Sequence, residues 1–101
     1  MKLKLTYAEF TAIHALLAAI CNGLNPAGIQ QQVLHGCLNR MYKRFYNKAF
    51  KAKKKYTVSI EADEACAFYM FFSKYDMKGY EAFTCNLVLQ LNNSIHQKYS
   101  A

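Results

Sequence analysis

The stretch Leu3-Lys4-Leu5-Thr6-Tyr7-Ala8-Glu9 returns as a pattern 55 positions later, in Val58-Ser59-Ile60-Glu61-Ala62-Asp63-Glu64. In both stretches apolar and polar residues alternate, which is typical of a short, half-exposed strand. A glutamate then follows three positions after Thr6 and after Glu61, as in the capping box that begins many helices. The sequence therefore predicts two similar halves, each opening with a strand that runs into a helix.

Apolar spacing beyond these stretches predicts two helices in each half. In the first half the spacing predicts one helix to Asn22-Gly23 and a second that opens at Asn25-Pro26, because Asn caps helices and Pro fits their first position. The second half predicts helices over 62–75 and about 80–98. We expect one domain, 1–101, made of halves 1–50 and 55–101 joined by the basic segment 51–55. The fold class is mainly α with a small two-stranded antiparallel β ribbon, in a pseudo-two-fold β-α-α-β-α-α order.

Positive charge is concentrated in the middle of the chain. The net charge is +7, no acidic residue lies between Phe10 and Ile60, and eight of the thirteen basic residues fall between Arg40 and Lys55. Such a one-sided surface favours an anionic partner. Nucleic acid is the first expectation, with DNA favoured over RNA, and an acidic protein surface is the second. The alternative is a solvated basic helix end that only aids solubility.

Several classes of protein are disfavoured by composition. Five of the six acids stand at predicted helix starts, where the helix dipole favours them, so little is left for acid-base or metal chemistry. The three histidines have no partner at metal-ligand spacing, and we expect no enzyme, metal or cofactor. Four separated cysteines indicate free thiols in a reducing compartment. No signal peptide or membrane span is predicted, so we expect a cytoplasmic or nucleoid-associated protein that is not secreted.

The strand, helix, Asn22-Gly23-Leu24-Asn25 turn and second helix together resemble the ribbon-helix-helix DNA-binding family, here as a tandem repeat in one chain. The resemblance covers most of residues 2–46 and, less closely, 55–98. It departs from the family in the second half, which has Lys78-Gly79 where the family turn would stand. The resemblance implies that the two strands pair and enter the major groove of DNA.

Candidate site residues follow from this resemblance and from the charge pattern. The resemblance implies that the ribbon reads bases with the side chains facing away from the helices: Lys2, Lys4, Thr6, Lys55, Thr57 and Ser59. It also implies phosphate binding where the second helix begins, at Asn25, Ala27 and Gly28. The basic stretch adds further phosphate contacts: Arg40, Lys43, Arg44, Lys48, Lys51, Lys53 and Lys54.

A second hypothesis is a helical protein-interaction module, such as a phage- or mobile-element-type factor that docks on an acidic partner protein. The apolar third helix and the basic patch together suit such a partner. Aromatic residues would form the partner surface: Tyr42, Tyr46, Phe50 and Tyr69. Rings among cations can also stack nucleic-acid bases, or the rings can simply pack against the third helix. Homodimerisation is compatible with either hypothesis.

Overall fold

The computed structural model describes residues 1–100. Ala101, the last residue of the second predicted half, lies outside this range. The predicted order of elements is confirmed: β1 (Lys2–Thr6), α1 (Tyr7–Gly23), α2 (Gly28–Lys48), β2 (Lys55–Ser59), α3 (Ala62–Phe72) and α4 (Ala82–Tyr99). The fold is mainly helical, with one small two-stranded sheet.

The two strands pair with each other in antiparallel orientation. Leu3 lies opposite Val58, and Leu5 lies opposite Tyr56. The pairing extends one residue at each end, because Ile60 donates its N–H to the Met1 carbonyl at 2.9 Å and Tyr7 donates to the Lys54 carbonyl at 3.0 Å. In both strands the inner residues are buried and the outer residues are exposed, so the ribbon has one apolar and one polar face.

Both predicted capping boxes are present. Thr6 accepts the Glu9 N–H at 3.2 Å, while the Glu9 carboxylate accepts the Thr6 N–H at 2.9 Å. At the second site Glu61 and Glu64 exchange the same pair of bonds. Each strand therefore passes into its helix within one or two residues, and the caps fix that direction by satisfying amide groups that the helix leaves unpaired.

The second helix begins later than the sequence predicts. Asn25 and Pro26 precede α2, and its N-cap is Ala27, which makes no side-chain capping bond. Gly28 follows with φ of +82°, a conformation that L side chains rarely adopt. The prediction that Asn25 caps this helix and Pro26 opens it was wrong, because residues 24–27 are not helical and the chain turns at Gly28, the first residue of α2. The third helix also ends earlier than predicted, at Phe72 rather than Tyr75.

The core draws on the ribbon and all four helices. Leu17, Leu38, Phe45, Val58 and Phe68 are completely inaccessible to solvent. Aromatic rings fill much of this core, and the Phe10 ring stacks on both Phe45 at 5.1 Å and Tyr56 at 3.9 Å. This packing holds α1 and α2 against the inner face of the ribbon, so the outer face is presented on a rigid base.

Candidate nucleic-acid interface

The outer face of the ribbon brings together the six residues predicted to read bases. Lys2 lies opposite Ser59, Lys4 opposite Thr57, and Thr6 opposite Lys55. All six side chains are exposed. Residues two apart on a strand point to the same side, so the three pairs form one exposed row of ammonium and hydroxyl groups.

The basic segment is attached to one end of this ribbon. The Tyr56 ring is buried, but its hydroxyl accepts the Lys53 N–H and donates to the Lys51 carbonyl, both at 3.0 Å. The Tyr7 N–H also donates to the Lys54 carbonyl at 3.0 Å. These bonds hold residues 51–54 next to the Thr6–Lys55 end of the ribbon. The backbone of the basic segment, which carries exposed lysines, therefore lies beside this end of the ribbon.

The basic residues of the central stretch divide into two groups. Arg40 and Arg44 are the paired group, because both contact carboxylates at the start of α3. The other group is exposed and makes no ion pair within residues 1–100: Lys43, Lys48, Lys51, Lys53, Lys54 and Lys55. The lysines are thus the cations left available to an anionic ligand, whereas both arginines already hold α2 and α3 together.

The arginine contacts surround a buried carboxylate. Glu64 has no solvent exposure, and its Oε1 lies 2.9 Å from Nε of Arg44 and 2.8 Å from the Glu61 N–H that it accepts. Arg40 donates to Asp63 on the surface beside it. This hydrogen bond lowers the pKa of Asp63 and raises the pKa of Arg40. The carboxylates at the start of α3 therefore pair with both arginines and offset their positive charge.

The predicted phosphate site at the start of α2 has an open backbone. Asn25, Ala27 and Gly28 are all exposed. The Ala27 N–H already donates to Oε1 of Gln31 at 2.8 Å, so one amide of this turn is engaged by the helix's own side chain. The turn itself carries no formal charge, because no Asp, Glu, Lys or Arg occurs from Phe10 to Asn39. Whatever attraction it has for phosphate comes from the helix terminus alone.

Three of the four predicted partner-surface rings lie along one side of α2. Tyr42 and Tyr46 are 6.2 Å apart, and Tyr46 and Phe50 are 5.3 Å apart. His14 of α1 lies against both tyrosines, at 5.7 and 6.4 Å, and burial lowers its pKa. We call these four residues the aromatic ladder. The fourth predicted ring, Tyr69, lies elsewhere, 5.6 Å from His96 of α4.

Sequence reasoning missed the parts played by Tyr56 and His14. The Tyr56 hydroxyl positions the basic segment, a role that neither the strand pattern nor the charge pattern predicted. His14 carried no motif, although it connects the ladder to α1. The ring contacts of Tyr42 and Tyr46 outside α2 are with His14 of α1. The only available signal for Tyr56 was its hydroxyl, which a buried tyrosine usually hydrogen-bonds.

Comparisons with known proteins give no relative: no family model, no curated protein and no solved structure matches this chain. Within residues 1–100 no three His, Cys, Asp or Glu side chains are grouped so that they could hold a metal ion. None of the described helices combines the length and apolar character needed to cross a bilayer.

Proposed function

We propose that this protein binds double-stranded DNA, with the ribbon in the major groove and the lysines of the central stretch on the phosphate backbone. The observation that carries the proposal is the exposed row of Lys2, Lys4, Thr6 and their partners on the ribbon, next to lysines that form no ion pair within residues 1–100. A two-stranded ribbon fits the width of the major groove. The resemblance to the ribbon-helix-helix family supports the same docking, as does the paired β1–β2 ribbon on which that docking depends.

Within this proposal the lysines of the ribbon and the lysines of the basic segment have different roles. The Lys2 and Lys4 ammonium groups donate to base acceptors, for which guanine offers the O6 and N7 pair, and Thr57 and Ser59 donate or accept according to the base. Lys51, together with its neighbours in the basic segment, contacts phosphates without reading sequence. The protein would thus act as a transcriptional or architectural regulator whose preference resides in the ribbon.

The test starts with selection of a preferred duplex from a random pool, followed by anisotropy titration at low salt. We expect Lys4→Ala to reduce the preference for the selected duplex over random duplex by roughly tenfold, since one good base contact is worth about 1–3 kcal/mol. We expect Lys53→Ala to weaken both duplexes equally. Lys74→Ala, an exposed lysine at the end of α3, is the matched control and should change neither. Absence of any duplex binding at low salt would end the proposal.

A second candidate function, docking on another protein, is favoured by an uncovered apolar surface at the first turns of α2. Ile29 is 85% exposed and Val33 is 60% exposed. On another side of the same turns an open groove of about 410 Å³ separates Leu34 from Met70 and Phe71, with Lys74 at its edge. An apolar partner helix carrying an acidic residue would fit this groove. The third helix contributes less than the sequence suggested, because Phe68 and Phe72 are buried in the core.

This second function has its own test. Protein immobilised from a nuclease-treated lysate should retain one stoichiometric partner, and Met70→Asp, which changes the groove, should release it while Lys4→Ala should not. Light scattering on the purified protein identifies the case in which the partner is a second copy of the chain. Retention of nucleic acid alone, with no protein partner, would leave DNA binding as the function.

A further inference from the structure

We infer that the exposed end of the aromatic ladder is a second nucleic-acid site, which stacks the unpaired bases of a single strand. Tyr46 and Phe50, at the C-terminal end of α2 and in the turn after it, are the stacking residues. This inference stands apart from the duplex-binding proposal, because its stacking residues have no part in that proposal and its ligand is a different form of nucleic acid. The two share only lysines that contact phosphate.

The two rings are exposed in a way that packing does not explain. Phe50 is 75% exposed and Tyr46 is 50% exposed, whereas Phe10 and Phe45 are almost completely buried. The inner end of the ladder is firmly placed, because Tyr42 is half-buried and both tyrosines lie against His14. Tyr46 is thereby held in position, and the Phe50 ring meets it edge-on at 85°. The outward faces of these rings are therefore open to a planar ligand.

The positive charge around the Tyr46 and Phe50 rings favours an anionic ligand. Lys48 and Lys51 flank Phe50 in the chain, and Lys43 lies three residues before Tyr46. All three lysines are exposed and have no acidic partner within residues 1–100. Each nucleotide of a single strand offers one planar base and one phosphate, which matches this alternation of ring and ammonium. In a duplex the base faces are covered by their neighbours, so only an unpaired base can use the rings.

The position of this site relative to the ribbon is set by Tyr56. Its hydroxyl holds the Lys51 carbonyl, and Phe50 is the residue before Lys51. The ladder therefore ends beside the basic segment, and the lysines of that segment lie between the rings and the Thr6–Lys55 end of the ribbon. In the chain, residues 51–54 alone separate Phe50 from Lys55 of the ribbon.

The experiment is an anisotropy titration at fixed low salt with two labelled strands of about twelve nucleotides, one of thymidines and one of abasic residues. A site of this kind covers about 4–16 nucleotides. We expect the thymidine strand to bind more tightly than the abasic strand. Phe50→Leu keeps an apolar side chain and removes the aromatic face, so it should weaken thymidine-strand binding roughly 5- to 100-fold. Binding of the abasic strand, which has phosphates only, should not change.

The matched control is Phe83→Leu, since Phe83 is a partly exposed phenylalanine on α4. Urea unfolding of both variants checks that each remains folded. The inference is overturned if the two strands bind equally, or if Phe50→Leu behaves like Phe83→Leu. Failure of the duplex proposal would instead appear as unchanged duplex preference in Lys4→Ala, so the two results are distinguishable.

Discussion

At the scale of single residues, Glu64 shows how one side chain can serve two structural purposes. Its carboxylate caps α3 by accepting the Glu61 N–H, and it pairs with Arg44 of α2. A buried carboxylate without partners would be very costly. The capping bond and the guanidinium together satisfy it, and as a result α2 and α3 are fixed in their relative orientation.

Replacement of Glu64 should therefore cost more than replacement of the other capping-box glutamate. We expect Glu64→Gln to lower the free energy of unfolding by about 2–3 kcal/mol, because it loses charged hydrogen bonds in a buried place. Glu9→Gln is the matched control, since Glu9 caps α1 in the same way but makes no ion pair within residues 1–100. We expect that change to cost about 0.5–1 kcal/mol. Equal losses in urea unfolding would show that the arginine pair adds nothing.

The neighbouring surface pair gives a prediction about acid. Arg40 lowers the pKa of Asp63 by donating a hydrogen bond to it. The folded state therefore holds this proton less tightly than the unfolded state does. The stabilisation is complete above the ordinary aspartate pKa of about 4 and is lost as pH falls through the lower folded value. We expect the unfolding midpoint of Asp63→Asn to fall less than that of the wild type between pH 5 and pH 3. Equal decreases in the unfolding midpoints of the variant and the wild type would contradict this prediction.

At the scale of elements, the strands and the helix starts of α1 and α3 could be predicted because their signals are local. Alternation over five residues and a glutamate three positions after the cap are complete within a short stretch of sequence. The extent and surroundings of α2 could not be predicted in this way. An apolar repeat indicates an apolar face but not whether another element covers it, and Ile29 and Val33 remain uncovered.

The candidate site likewise has features that could be predicted from local sequence and features that could not. The outward side chains of the ribbon follow from the alternation, so Lys4 and Thr57 were placed correctly on one face. The pairing of Arg40 and Arg44 with α3 depends on how two helices distant in sequence pack, which charge counting does not contain. For the same reason no local pattern indicated that Tyr46 lies against His14 of α1.

Two glycines of α2 allow its backbone conformation to be tested. Gly28 has φ of +82°, so an alanine there should be strained by about 1–2 kcal/mol. Gly36 lies inside the helix, and a Cβ added there would meet no atom within 4 Å. Alanine at Gly36 should therefore stabilise the protein by about 0.5–1 kcal/mol through helix propensity. Thermal unfolding of Gly28→Ala and Gly36→Ala should show shifts of opposite sign, and shifts of the same sign would contradict the turn geometry.

At the scale of the whole molecule, the charges are segregated rather than mixed. The residues from Phe10 to Asn39 carry no charged group, and the acids at the start of α3 neutralise the two central arginines. What remains is a concentration of lysines around the ribbon and the basic segment. The same lysines that favour an anionic ligand repel one another in the free protein.

Raising the salt concentration should therefore increase the free energy of unfolding and decrease the affinity for duplex DNA. Raising ionic strength from about 0.01 to 0.15 M shortens the screening length from about 30 to about 8 Å. Repulsion among the lysines weakens, and we expect the free energy of unfolding to rise by a few tenths of a kcal/mol, because the Arg44–Glu64 pair, whose carboxylate is buried, is screened less than the exposed lysines. Duplex affinity should fall over the same range as counterion release becomes less favourable. A protein with Lys53 and Lys54 both changed to Gln should show both salt effects reduced, whereas Lys74→Gln should retain them. If stability fell together with affinity, screening of the attractive pairs Arg40–Asp63 and Arg44–Glu64 would outweigh screening of the lysine repulsion, and the prediction would be wrong.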